Sequence, residues 1–194
     1  MLRYAITPIA FFALVGCEAP HHNVLNQTPV QTQQSSCVGS IQLSDLLASK
    51  LDPIKAPVLL SGALGQTGKG KLCQGQVYQS HGGARVTLYR AWNSTNPNSQ
   101  FGQWWSFSRP RGEISQYRAD YEICYQWSPL DRMMKCQLKP GTKIVVGTGQ
   151  SAKCSEYLTY PASASLQVYL AHAQDVLMNC HQFTAHFRWD ALRP

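Results

Sequence analysis

The stretch VTLYRAW, residues 86–92, alternates like a strand, which puts Val86, Leu88, Arg90 and Trp92 on one face. A guanidinium among large apolar groups must find an anion or be costly to bury. A buried structural ion pair and a phosphate or carboxylate ligand both satisfy that need, and Arg90 alone leaves the two open. Further on, GQWWS, residues 102–106, sets Trp104, Trp105 and the hydroxyl of Ser106 side by side. LQVYL, residues 166–170, alternates again, with Gln167 and Tyr169 opposite Leu166, Val168 and Leu170. A strand that buries one face can offer two polar tips on the other.

Other chemistries find less support. PVLLSGALGQTGKGK almost matches a phosphate-binding P-loop, but the step from Gly62 to Gly68-Lys69 is one residue too long and Gly70 stands where Ser or Thr is needed. No nucleophile-elbow pattern surrounds Ser80-His81 or the other serines. No C-x-x-C pair occurs, so zinc clusters and dithiol redox chemistry have no basis, and no metal is expected. His181 and His186 near Cys180 read as surface or core residues.

The elements that must position these groups are mostly short strands. The folded part starts near Cys37. Ser40 followed by IQLSDLLASKL reads as a short amphipathic helix ending before Pro53, and the glycine-rich segment after Pro57 reads as a loop. VTLYRAW and FGQWWSF (101–107) are strands, and a helix is expected from about Glu113 to Cys124 once Pro110 has broken the second of them. Glu113, Asp120 and Glu122 fall on that helix, with Glu122 on its solvated face. MMKCQLK, KIVVGTG and LQVYLAH follow as strands, and CHQFTAHFRW alternates with Phe183, Ala185, Phe187 and Trp189 on one face. The fold class is α+β, with many strands and few helices.

The first residues, MLRYAITPIAFFALVGC, have one early Arg and an apolar run too short for an ordinary membrane-spanning helix. They read as a secretory signal peptide over residues 1–16. Leu14–Cys17, LVGC, resembles a bacterial lipobox, which implies cleavage before Cys17 and lipid attachment to its thiol. Glu18 in place of Asp implies sorting to the outer membrane, with the protein facing the periplasm or the cell surface. Residues 18–36 are polar and carry few large apolar groups, so they form a tether rather than a core, on the order of 25 Å long as a coil. His21 and His22 in it are given no metal role.

Six cysteines remain after the anchor: Cys37, Cys73, Cys124, Cys136, Cys154 and Cys180. In an exported chain an even set reads as three disulfides, of which sequence leaves the pairing open. The whole chain has 17 Lys and Arg against 10 Asp and Glu; without Arg3 the mature chain keeps 17 − 1 = 16. That moderately basic balance favours an anionic ligand or surface without singling out nucleic acid. Residues 37–194 are expected to form one monomeric domain.

In order and approximate spacing, Tyr89-Arg90, Trp104-Trp105-Ser106 and Gln167-Val168-Tyr169 resemble the three motifs of the ADP-ribosyltransferase superfamily, toxin-like branch. KPGTKIVVGTGQS (139–151) resembles the strand pair that precedes the last motif, so the resemblance covers roughly residues 84–171. It implies a split β-sheet core and NAD as substrate, with no metal. It also implies that Arg90 binds the pyrophosphate, a bidentate contact suited to a guanidinium. Tyr89 and Tyr169 would lie against the nucleotide, Ser106 would fix the nicotinamide ribose, and Trp104 or Trp105 would supply an aromatic wall. Gln167 departs from the family's usual catalytic Glu: it can hold a ribose hydroxyl but carries no charge, a loss on the order of 3 kcal/mol in a charged transition state, and Glu113, Asp120 or Glu122 could supply that charge from the helix. The resemblance thus implies an exported mono-ADP-ribosyltransferase or NAD glycohydrolase, with a protein or nucleic-acid acceptor in the first case. A degenerate envelope lipoprotein that binds a nucleotide or protein partner is the alternative, and a basic protein acting on nucleic acid or glycan a third.

Overall fold

The computed structural model describes residues 37–184. The signal segment, Cys17, the tether, and Ala185, His186, Phe187 and Trp189 of the last alternating run lie outside the described residues. Ten strands occur among the described residues: β1 Leu51–Pro53, β2 Leu72–Ser80, β3 Thr87–Trp92, β4 Trp104–Trp105, β5 Arg132–Leu138, β6 Lys143–Gly149, β7 Ala152–Lys153, β8 Thr159–Tyr160, β9 Leu166–Tyr169 and β10 Leu177–Thr184. Four short helices accompany them: α1 Asp45–Ala48, α2 Pro57–Ala63, α3 Ile114–Asp120 and α4 Ala173–Val176. The chain is therefore mixed α+β and dominated by sheet.

Burial dictates the layout. The run IVVGTG in β6 is buried on both faces, so it must be interior. It lies at the centre of an antiparallel sheet ordered β1-β2-β6-β9-β4. A second antiparallel sheet is ordered β10-β5-β3, and β7 pairs with β8. The main core gathers side chains of both large sheets: Val86, Leu88 and Trp92 flanking or within β3, Met134 and Leu138 of β5, Ile144 and Val146 of β6, Val168 of β9 and Trp105 of β4. The two sheets join at one point, where Tyr89 and Ser106 exchange two backbone hydrogen bonds of 2.8 Å. That bridge sets the strands in the sequence β3, β4, β9.

Four local expectations are corrected. The helix after Ser40 shrinks to Asp45–Ala48, because Leu51–Pro53 is drawn into the sheet against Tyr78–Ser80 and the apolar stripe fails at Leu46, which is 68% exposed. The segment after Pro57 is not wholly a loop. Pro57 opens α2, where a missing N–H costs nothing, and Leu59, Leu60 and Ala63 pack on Leu72, Val77 and Val145. Only Trp104–Trp105 of FGQWWSF hold strand geometry, extended by the bridge at Ser106. The helix from Glu113 stops at Asp120 rather than Cys124.

The six cysteines form Cys37–Cys73, Cys124–Cys154 and Cys136–Cys180. The first ties the start of the described chain to β2, the last ties β5 to β10, and the middle one ties the loop after α3 to the residue that follows β7. Replacing Cys136 and Cys180 together by Ser opens a loop of 44 residues and should lower unfolding free energy by about 4 kcal/mol on the chain-entropy account. Denaturant melts of the oxidised proteins check this; an unchanged midpoint would contradict the pairing.

Candidate functional site

Where β3 meets β4 the two sheets part around a cavity of about 240 Å³. Its wall includes Tyr89, Arg90, Trp92, Trp104, Trp105, Ser106 and Gln167, so each of the three motifs contributes to one space, though Tyr169 does not. It also includes Tyr117, Tyr121, Glu122 and Trp127, together with Lys71.

Arg90 extends from β3 between two neighbouring segments. Its Nε donates to the Ser99 carbonyl at 2.8 Å and its Nη1 to the Trp104 carbonyl at 2.6 Å. No carboxylate lies within 4.0 Å of it among the described residues. The guanidinium therefore has acceptors that orient it and none that cancels its charge. Burial lowers its pKa to about 10, with Tyr117 opposing the shift, so it stays cationic at neutral pH. Gly102 makes this position possible: a Cβ there would stand 2.6 Å from the Arg90 Cζ.

Ser106 is 1% exposed, and its hydroxyl donates to the Ser108 carbonyl at 2.7 Å. It fixes the end of β4 as well as lining the cavity. The two tryptophans divide. Trp105 sits in the main core with its Nε1 donating to Gly102 O at 2.7 Å. Trp104 offers Arg90 its carbonyl while its ring packs on Tyr169, with centroids 5.1 Å apart. Tyr169 does not reach the cavity. It belongs to the smaller core under α2, and its hydroxyl accepts from Gln103 Nε2 at 3.1 Å. The nucleotide-facing role expected for Tyr169 is therefore not supported by its position.

Gln167, 6% exposed, meets a residue that was placed on a solvated face. Its Nε2 donates to Glu122 Oε2 at 2.6 Å. Glu122 is 3% exposed. α3 closes at Tyr121; Glu122 then takes a left-handed backbone, φ 47°, and the Ile123 N–H returns to the Arg118 carbonyl at 2.9 Å. This is the Schellman closure, in which glycine is the usual residue at the left-handed position. A glutamate there is turned inward instead of continuing around the helix. Gly149 at the end of β6 leaves the space: a Cβ on it would collide with the Glu122 carboxylate. The loop is held from two sides, by the Cys124–Cys154 disulfide and by Arg118, whose guanidinium donates to the Ile123, Cys124 and Ser128 carbonyls.

Two buried polar atoms on the cavity wall residues lack hydrogen-bond partners among the described residues: Glu122 Oε1 and Trp92 Nε1. Ser163 is near Glu122, but its hydroxyl donates to the Asp120 carbonyl at 2.6 Å and its N–H to Gly149 O at 3.3 Å. Burial pushes the Glu122 carboxyl up to about 7; Ser163 and Gln167 temper the rise and Asp120 adds to it. Trp127, 53% exposed, stands at the edge of the wall near Gly70. Among the described residues no three His, Cys, Asp or Glu side chains gather as a metal-ligand set.

The sequence reading thus brought Tyr89, Arg90, Ser106 and Gln167 to the site, along with the Trp104 backbone. It named Glu122 among three carboxylates that could supply charge but set it on a solvated face, and it missed Tyr117, Tyr121 and Trp127. The available signal was Cys124: a half-cystine two residues after Glu122 argues that the segment leaves the helix and turns inward. A scan against protein-family models, a search of curated proteins and a search of solved structures each found no match to the chain.

Two outcomes follow. The folded pKa of Glu122 lies above its ordinary 4.5, so folding favours the protonated form, and stability present below pH 4.5 is lost as pH rises through about 7. Glu122→Gln should remove that loss. The variant should gain about 3 kcal/mol relative to the wild type between pH 4.5 and pH 8, read by urea melts. A pH-independent difference would contradict the burial of an ionisable Glu122. Gly102→Ala should cost about 2 kcal/mol in the wild type and under about 0.5 kcal/mol in an Arg90→Ala background, because the clash goes with the guanidinium. Equal costs in the two backgrounds would contradict the contact.

Proposed function

We propose that this chain is an exported NAD-using enzyme of the ADP-ribosyltransferase type, cleaving the bond between nicotinamide and ribose by hydrolysis or transfer. One observation carries the reading. Arg90, Ser106 and Gln167, read from three separate motifs, stand on or beside the consecutive strands β3, β4 and β9 and line one cavity. A two-sheet core meeting at that point is consistent with the split-sheet fold the resemblance implies.

In this reading Arg90 holds the pyrophosphate from the cavity wall. Its two carbonyl acceptors keep it in place before the ligand arrives, which reduces the ordering cost of binding. The cavity is smaller than the roughly 300–1,000 Å³ of pockets that enclose whole drug-sized ligands, so it suits the nicotinamide-ribose end of a dinucleotide. Gln167 holds a ribose hydroxyl. Ser106 is a positioning residue that keeps β4 against β3. The aromatic walls come from Tyr117, Tyr121 and Trp127 more than from the Trp104 and Trp105 rings. Three disulfides support folding in an oxidising compartment, in keeping with export and a lipid anchor at Cys17.

The second reading, a domain that binds a nucleotide or protein partner without turnover, is favoured by the uncharged Gln167 at the position where the family usually carries Glu. Nicotinamide release from NAD by the oxidised protein separates the two. Arg90→Lys, which keeps charge but not the two-pronged geometry, should lower kcat/KM about 100-fold with the fold intact. Release unaffected by that substitution would remove Arg90 from the site, and no release with saturable NAD binding would favour the binding domain.

A further inference from the structure

We propose that Glu122 supplies the negative charge of this site, and that its ionisation gates the site on and off with pH. The inference rests on the NAD reading and goes beyond it by naming the group that answers the ligand's cationic end and the condition under which it does so.

The geometry singles out this carboxylate. Glu122 is almost fully buried on the cavity wall and one of its oxygens has no hydrogen-bond partner among the described residues. Its other oxygen is fixed by Gln167. No Lys, Arg or His lies within 4.0 Å of it among the described residues, so no cation balances its charge. Two unfavourable features coincide at one residue: a left-handed backbone where glycine is usual, and an unpaired buried acid. Outliers of this kind concentrate at functional sites. Gly149 and the Cys124–Cys154 tie accommodate and hold it.

Arg90 and Glu122 line the same cavity without pairing with each other, so an anionic group and a cationic group of one ligand each find an opposite charge. NAD carries both, a pyrophosphate and a pyridinium. On cleavage the bond from ribose C1′ to the ring nitrogen breaks, its electron pair stays with nicotinamide, and positive charge grows on the ribose beside the carboxylate. A water or acceptor oxygen then bonds to C1′, and its proton passes to Glu122 or to solvent. The neutral acid offers no such charge. Packed against the Glu122 carboxyl are Gln167 on β9 and Ser163 before it, which favour its charge, and Asp120 and Tyr121 on its own segment, while Arg90, Lys71 and Tyr117 line the same cavity. Burial outweighs the opposing hydrogen bonds of Ser163 and Gln167 and pushes the carboxyl up to about 7, where small changes of pH alter its charge most.

The test compares equilibrium binding of NAD⁺ with that of NADH, whose ring is neutral, at pH 6.0 and pH 8.5. The full-length oxidised protein is used, and nicotinamide release is followed in parallel. Wild type should prefer NAD⁺ about tenfold at pH 8.5 and within about twofold at pH 6.0, a difference of about one decade from a single charge contact. Glu122→Gln should show no preference at either pH and lose release about 100-fold or more, while Glu122→Asp restores part of the pH dependence. Circular dichroism of each variant checks the fold. Binding or release without a Glu122-dependent preference would overturn this inference and leave the NAD reading standing; absence of both binding and release would overturn the NAD reading and this inference with it.

Discussion

Two backbone hydrogen bonds between Tyr89 and Ser106 carry the architecture of the site. Among the described residues they are the backbone hydrogen bonds that sew the edge of the three-stranded sheet to the end strand of the five-stranded sheet, and the Arg90 side chain adds a third tie to the Trp104 carbonyl. Without them this edge of β3 would lack its backbone partner. With them the Trp104 carbonyl reaches the guanidinium, Gln167 follows one strand further on, and all three border one cavity. The bridge is made of main chain, so many side chains could sustain it. The specificity lies in what the side chains around it do.

Those side chains resolve a conflict between charge and burial. Arg90 and Glu122 are both taken largely out of water, and each is accommodated by a glycine whose missing Cβ makes its room, Gly102 for the cation and Gly149 for the acid. Each is oriented by neutral partners: carbonyls for Arg90, an amide for Glu122. Neither is neutralised by the other. A pair built for stability would have closed that gap, since an isolated buried charge costs more than a matched one. Burial displaces the pKa of each group towards its neutral form, downward for Arg90 and upward for Glu122.

Strand character was legible where alternation and β-branching were strong. VTLYRAW, MMKCQLK and KIVVGTG fold as strands close to their expected limits, and the ordered triplet of motifs fell on strands that share a cavity. The sequence was less informative where tertiary pairing overrode local pattern. Leu51–Pro53 continues an apolar periodicity but is claimed by the sheet edge. Trp104 and Trp105 look alike in sequence, yet strand alternation sends one ring to Tyr169 and the other to the main core. Glu122 was misplaced because helix periodicity was carried through a residue that is the helix's own closure; glycine, the usual marker of that closure, is absent. The disulfide that turns the segment inward pairs residues 30 apart, which spacing alone does not reveal.

The most direct measurement of the central claim is a crystal structure of the oxidised protein with a carbocyclic NAD analogue that cannot be cleaved. The account predicts a pyrophosphate oxygen within hydrogen-bonding distance of Arg90, with the nicotinamide and its ribose-like ring between Gln167 and Glu122. A ligand bound elsewhere, or one that leaves Arg90 without an anion, would contradict it.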